Sequence, residues 1–145
     1  MKELFIPERW RSKFEIKDLI EKNNELNLIL VEKSKLVPSK LAGKDVVLNG
    51  YLPRVEVIDY PFRDKPMYIS FIRRRWKEKG TSKSYYNDYE FHLEGMKTTH
   101  EFGAFLKELN REELAEFFNA WGNLRYIRQK DFQVVQRSFK WFWQR

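Results

Sequence analysis

Apolar and polar residues alternate along this chain with two different periods, and the change falls near residue 95. Before it, the pattern is that of strands. Residues 14–22 and 25–32 flank Asn23-Asn24, a dipeptide suited to a tight turn because asparagine tolerates positive φ. The second arm, Leu26-Asn27-Leu28-Ile29-Leu30-Val31, is apolar and branched enough for a core strand, so the pair predicts a β-hairpin. Residues 33–44 are rich in Lys and Ser, contain Pro38 and Gly43, and predict a loop. Short strands are expected at 46–48 and 55–58, around Gly50 and Pro53, and residues 59–64 with Pro61 predict a turn. From 67 to 76 a period-2 run of Met, Tyr, Ile and Phe predicts one strand. Side chains alternate across a strand, so Arg73 and Arg75 share the face of Met67, Ile69 and Phe71. Arg74 shares the other face with Tyr68, Ile72 and Trp76. A polar connection centred on Gly80 covers 77–83, and residues 84–93 are expected to return as the antiparallel partner.

After Gly95 the period becomes helical. Thr98-Thr99-His100-Glu101 has the Ser/Thr-x-x-Glu form of a capping box. Behind it Phe102, Phe105, Leu106 and Leu109 follow the spacing of one helix face. Asn110 with Glu113 repeats the cap signal, Leu114, Phe117, Phe118 and Trp121 repeat the periodicity, and Gly122 is placed to end the helix in a left-handed cap. A third helix is expected from Leu124 to about Trp143. Leu124, Ile127, Val134, Val135, Phe139 and Phe142 would face inward, and Arg125, Gln129, Gln133, Gln136 and Lys140 would lie on another side. The expected architecture is therefore α+β: an antiparallel, ribbon-like β module over residues 1–95, then a three-helix unit over 96–145, with a helix-turn-helix as one reading of it.

Composition adds a direction. The 145 residues carry 28 Lys+Arg against 21 Asp+Glu, a net charge of +7. The excess is uneven: residues 61–83 hold eight basic and two acidic residues, and residues 121–145 hold six and one. Two basic blocks on a near-neutral remainder point to a surface for phosphate-rich partners. The absence of cysteine removes disulfides, thiol catalysis and thiolate metal sites together. The N-terminus is broken by charges and Pro7, and no apolar run approaches the roughly 20 residues needed to span a bilayer. A cytoplasmic protein without membrane segments is expected.

Arg73, Arg74, Arg75 and Trp76, with Lys77, Lys79 and Lys83, set an aromatic ring beside several phosphate-reaching groups. Three adjacent guanidiniums are hard to pair inside a core, because a buried unpaired charge is very costly. The alternative is a solvated strand end whose arginines pair with Asp88, Glu90 or Glu94. In the C-terminal block, Gln side chains of a recognition helix would read adenine edges while Arg and Lys contact phosphate. The alternative there is packing, or a protein–protein surface built on Trp141, Phe142 and Trp143. Catalysis has little support: His92 and His100 lack metal-ligand spacing, and there is no Gly-rich phosphate loop or nucleophile elbow. No metal or other cofactor is expected.

Three segments together resemble the N-terminal region of bacterial insertion-sequence transposases of the DDE class, the kind that opens with a zinc-ribbon-like module. They are FEIKDLIEKNNELNLILVEK, then DYPFRDKPMYISFIRRRW with its Asp-x-Pro turn and arginine-ended strand, then FHLEGMKTTHEFGAFLKEL with its Gly-x-x-x-Thr link into a helix. The resemblance covers roughly residues 10–110. In zinc-bearing relatives one cysteine pair would fall near 33–50 and another near 77–85; this chain has neither and resembles the cysteine-free branch. No nuclease domain is expected within these 145 residues, so the transposition chemistry is expected elsewhere. The resemblance implies binding of element-end double-stranded DNA, a separate transposase catalytic subunit as partner, self-association as a further expectation, and a bacterial, nucleoid-associated location. The rival classes are an interaction module using the aromatic C-terminus and a small RNA-binding protein.

Overall fold

Asn23 and Asn24 both take positive φ, 55° and 56°, the requirement of a type I′ hairpin turn. They join β1 (Phe14–Lys22) to β2 (Glu25–Glu32), as the alternation predicts. The computed structural model describes residues 2–122 and 128–139 of the chain. Among these residues the chain is α+β, with seven strands preceding three helices. No helix among them is long and apolar enough to cross a membrane.

The second hairpin departs from expectation. Strand β4 (Val55–Phe62) runs through Pro61, and the turn into β5 (Lys65–Ile72) is confined to Arg63-Asp64, with Arg63 at φ 60°. In the order β1-β2-β5-β4, strand β4 is outermost. There proline's missing N–H can face away from the ladder, so Pro61 does not stop the strand. Every residue of β5 from Pro66 to Ile72 is buried, so both its faces are covered.

The strand expected over 67–76 is in fact two. It ends at Ile72, and Arg74–Glu78 form β6 in a separate antiparallel sheet ordered β3-β6-β7, with β3 at Val46–Tyr51 and β7 at Ser84–Tyr85. The cause lies in the bonds at the break. The Arg74 N–H donates to the Glu32 carboxylate at 3.0 Å, and the Arg73 carbonyl accepts from Leu52 at 3.0 Å. The returning strand is likewise shorter than the expected 84–93. After Tyr85 the polar side chains take over: Asp88 accepts from the Tyr89 N–H at 3.0 Å, and Asn87 donates to the Leu36 carbonyl at 2.6 Å. Such local side-chain bonds compete with a ladder.

The chain forms two compact units built from interleaved segments. The first comprises Met1–Leu19, Leu28–Glu56 and Ser70–Tyr89; the second comprises Ile20–Asn27, Val57–Ile69 and Glu90–Arg145. In the first, Trp10, Phe14, Phe71 and Tyr89 meet edge to face, with ring centroids between 5.1 and 5.8 Å apart. In the second, Ile58, Tyr68, Met96, Phe102, Leu106, Leu114, Phe118, Trp121, Val135 and Phe139 form one buried cluster.

The helices of the second unit are α1 (His100–Glu108), α2 (Arg111–Gly122) and α3 (Gln129–Arg137). Asn110 and Glu113 make the expected reciprocal box, at 2.8 and 3.0 Å. The α1 cap is Thr99, not Thr98, and no box with Glu101 forms. Thr99 accepts from the Phe102 N–H while its hydroxyl donates to Asp59 at 2.9 Å. Burial raises the Asp59 carboxyl above its ordinary value. Helix α3 is shorter than expected. Val135 and Phe139 are buried as predicted and Val134 is half-buried, while Leu124, Ile127, Trp141, Phe142 and Trp143 lie outside the described residues.

Arg128, just before α3, is held by a carboxylate across the unit. Its Nε donates to Glu25 at 3.1 Å and its Nη2 at 2.6 Å, and the guanidinium lies 3.9 Å over the Tyr68 ring. Asp131 is shared by Lys97 at 3.1 Å and Arg128 at 3.8 Å. Burial pushes the Tyr68 phenol up to about 12 from 10.0.

Two predictions follow from this unit. Gly122 does not adopt the expected left-handed cap; instead a Cβ there would stand 2.6 Å from the Phe132 ring. In an open helix Gly→Ala stabilises by about 0.5–1 kcal/mol, but Gly122→Ala is expected to destabilise by about 1–3 kcal/mol through overpacking. Urea unfolding of the two proteins gives the sign. Tyr68 folds with its phenol pKa raised, so its contribution is complete below pH 10 and is lost as pH rises through about 12. Tyr68→Phe is expected to flatten the stability profile across that interval, read from denaturant midpoints.

Candidate nucleic-acid interface

The three-stranded sheet of the first unit carries most of the candidate residues. Directly opposed residues of antiparallel strands share a face. The register sets Leu48 against Trp76 and Trp76 against Tyr85, and it sets Val47 against Lys77 and Lys77 against Ser84. One face therefore bears Leu48, Trp76, Tyr85 and Arg74; the other bears Asn49, Arg75, Lys77 and Ser84. Strand β3 carries a register shift before Tyr51, where Gly50 takes φ 81°, and this brings Tyr51 opposite Arg74. Trp76 is buried, consistent with a buttress rather than a contact residue.

The three arginines are all half-buried and each is used differently. Arg73 pairs with Asp88 at 3.1 Å and lies 5.3 Å over the Tyr86 ring, so here the alternative of pairing with the returning segment holds. Arg74 donates its Nε to the Glu32 carbonyl at 2.7 Å, with its guanidinium 5.8 Å over Tyr51. Arg75 donates its Nε to the Asn49 carbonyl at 2.7 Å. Neither Arg74 nor Arg75 has a carboxylate on its guanidinium among the described residues. Neutral carbonyls orient both groups without cancelling their charge. A strand that continued past Ile72 would have aligned Arg75 with Met67, Ile69 and Phe71; the sheet switch at Arg73 ends that alignment.

Lys77 follows Arg75 on the same face and is half-buried, and Lys79, exposed, is anchored by its N–H to the Asp45 carbonyl at 2.8 Å. Lys83, also exposed, lies 5.3 Å over the Tyr85 ring. The C-terminal candidates belong to the second unit. Gln129 and Gln133 are exposed on α3 and Gln136 is half-buried, while Arg125 and Lys140 lie outside the described residues. Among the described residues no group of three His, Cys, Asp or Glu is placed to hold a metal ion. The His100 ring meets the Glu90 carbonyl at 2.8 Å and the His92 ring meets the Leu93 carbonyl at 3.2 Å.

The residue that sequence reasoning passed over is Glu32, charged yet fully buried. Its carboxylate receives the Arg74 N–H, the Asn87 amide at 3.0 Å, and the Tyr89 hydroxyl. Burial, and then the Glu32 carboxylate, raise the Tyr89 phenol well above the ordinary tyrosine range. A polar residue closing an apolar run (LNLILVE) was the available signal. This network fixes where β6 begins and so how Arg74 and Arg75 are presented. Tyr89→Phe would deprive a buried carboxylate of one donor and is expected to cost about 1–3 kcal/mol, measurable by urea unfolding. An unchanged midpoint would show that the hydroxyl is dispensable.

Compared with protein-family models, with curated proteins and with solved structures, the chain gives no match.

Proposed function

We propose that this chain binds double-stranded DNA through the β3-β6-β7 sheet and the basic turn after β6, with no chemistry of its own. The observation that carries this reading is the state of Arg75, a guanidinium held by a neutral carbonyl and without a carboxylate among the described residues. Lys77 shares its face, and Lys79 and Lys83 follow on the turn. Oriented cations that lack acid partners gain by releasing counterions from a phosphate backbone. A narrow antiparallel ribbon is also among the elements that fit the major groove. The resemblance to transposase N-terminal regions makes element-end DNA the candidate duplex, with a separate catalytic subunit positioned there and a bacterial cytoplasmic, nucleoid-associated location. Gln129, Gln133 and Gln136 are candidate groove contacts of the second unit.

The test is a salt titration of binding to short blunt duplexes, comparing element ends with scrambled sequence. Replacing Arg75, Lys77 and Lys79 together by glutamine is expected to reduce the slope of log K against log salt by roughly 2–3. An unchanged slope would remove this face from the interface.

A further inference from the structure

A second feature of the first unit is a cleft of about 400 Å³ between the short helical turn Ser39–Leu41 and the segment that follows Lys83. That volume falls within the roughly 300–1,000 Å³ of small-ligand sites. Its lining includes Ser39, Lys40, Lys83, Ser84, Tyr85 and Tyr86. Neither lysine is paired with a carboxylate among the described residues. Asp88 also lines it, but its carboxylate is engaged by Arg73 at 3.1 Å. The uncompensated charge of the cleft is therefore positive.

The walls are tied in place. Asn87 bonds the Leu36 carbonyl at 2.6 Å and Glu32 at 3.0 Å, and Ser84 accepts from Asn49 at 2.7 Å. Between these anchors stand two adjacent tyrosines. Tyr86 is 50% exposed, and Arg73 lies over its ring. A large ring so exposed, yet held in position, is a stacking platform for a planar π-system. Lysines beside such a platform supply point charges for a phosphate.

We propose that this cleft takes one unpaired nucleotide, its phosphate between Lys40 and Lys83 and its base on the Tyr86 ring. The same nucleoside phosphate chemistry is offered by a free nucleotide and by the frayed or overhanging end of a strand. For the strand source, the inference rests on the DNA-binding reading, and it adds a preference for ends with an unpaired residue.

The experiment uses the full chain and four probes: dTMP, thymidine, inorganic phosphate, and a duplex with or without a one-strand overhang. dTMP is expected to bind, with thymidine and phosphate each about tenfold weaker or more, and the overhang is expected to raise duplex affinity. Lys40→Ala and Tyr86→Ala should each weaken dTMP about tenfold and abolish the overhang gain while leaving blunt-duplex affinity unchanged. Arg75→Gln with Lys77→Gln should do the converse. Lys40 is exposed on a surface turn, so its variant reports even if Tyr86→Ala does not fold. dTMP binding without an overhang effect supports the site and assigns it to free nucleotides. Phosphate binding as tightly as dTMP, or wild-type dTMP affinity in Lys40→Ala, overturns the proposal. Blunt-duplex binding with no dTMP or overhang effect overturns it while leaving the DNA-binding reading standing.

Discussion

A carboxylate removed from water must be met by donors, and much of the first unit is arranged around meeting that need at Glu32. The side chain is fully buried. Its donors come from a backbone amide at Arg74, a side-chain amide at Asn87 and a phenol at Tyr89. Leaving such a group unsatisfied would cost several kcal/mol. Satisfying it has geometric effects. The Arg74 N–H is diverted to the Glu32 side chain, and β6 begins there in a different sheet. The segment from Ser84 to Tyr89 is drawn along Glu32 rather than continuing as a strand. Two rings that this segment and β5 supply, Tyr89 and Phe71, then close on Trp10 and Phe14.

What was legible in the sequence was what is decided locally. Asn23-Asn24 turns because its own residues tolerate positive φ, and Asn110 with Glu113 caps because the two reach each other across one turn. The α+β order followed from the change of period. The misjudged points were decided by distant partners. The apolar run gives way to arginines at residue 73, but a change to charged residues does not by itself move a strand to another sheet; that break depends on Glu32, 42 residues from Arg74. Thr98 and Thr99 offer equal cap chemistry, and Asp59 bonds the second. Gly122 looks like a helix terminator, but the space beside it is filled by Phe132.

The same distinction applies to charge. Counting basic residues treats Arg128 and Arg75 alike. Arg128 is neutralised by Glu25 and stacked on Tyr68, and it works as a fastening inside the second unit. Arg75 rests on a carbonyl, so its charge is still available to a partner. Of the basic residues in the C-terminal block, Arg128 therefore adds to the count without adding a free surface charge. The distinction lies in the acceptor each guanidinium meets, which no count of residues records.

The interleaving of the two units bears on how the molecule is made. Within the sheet β1-β2-β5-β4, the β1–β2 hairpin is synthesised before the other strands, carrying the Leu28-Ile29-Leu30 run. The strand that neighbours β2 on its other side, β5, is synthesised only after the loop, β3 and β4. Glu25 waits longer still, for an arginine 103 residues downstream. Long-range closures of this kind slow folding and leave apolar edges uncovered in the interval. Neither unit is a continuous stretch of chain: the first has all its segments only at Tyr89, and the second needs the segment that begins at Glu90. Until β5 has been made, one edge of β2 and its Leu28-Ile29-Leu30 run lack the strand that pairs with them in the finished sheet.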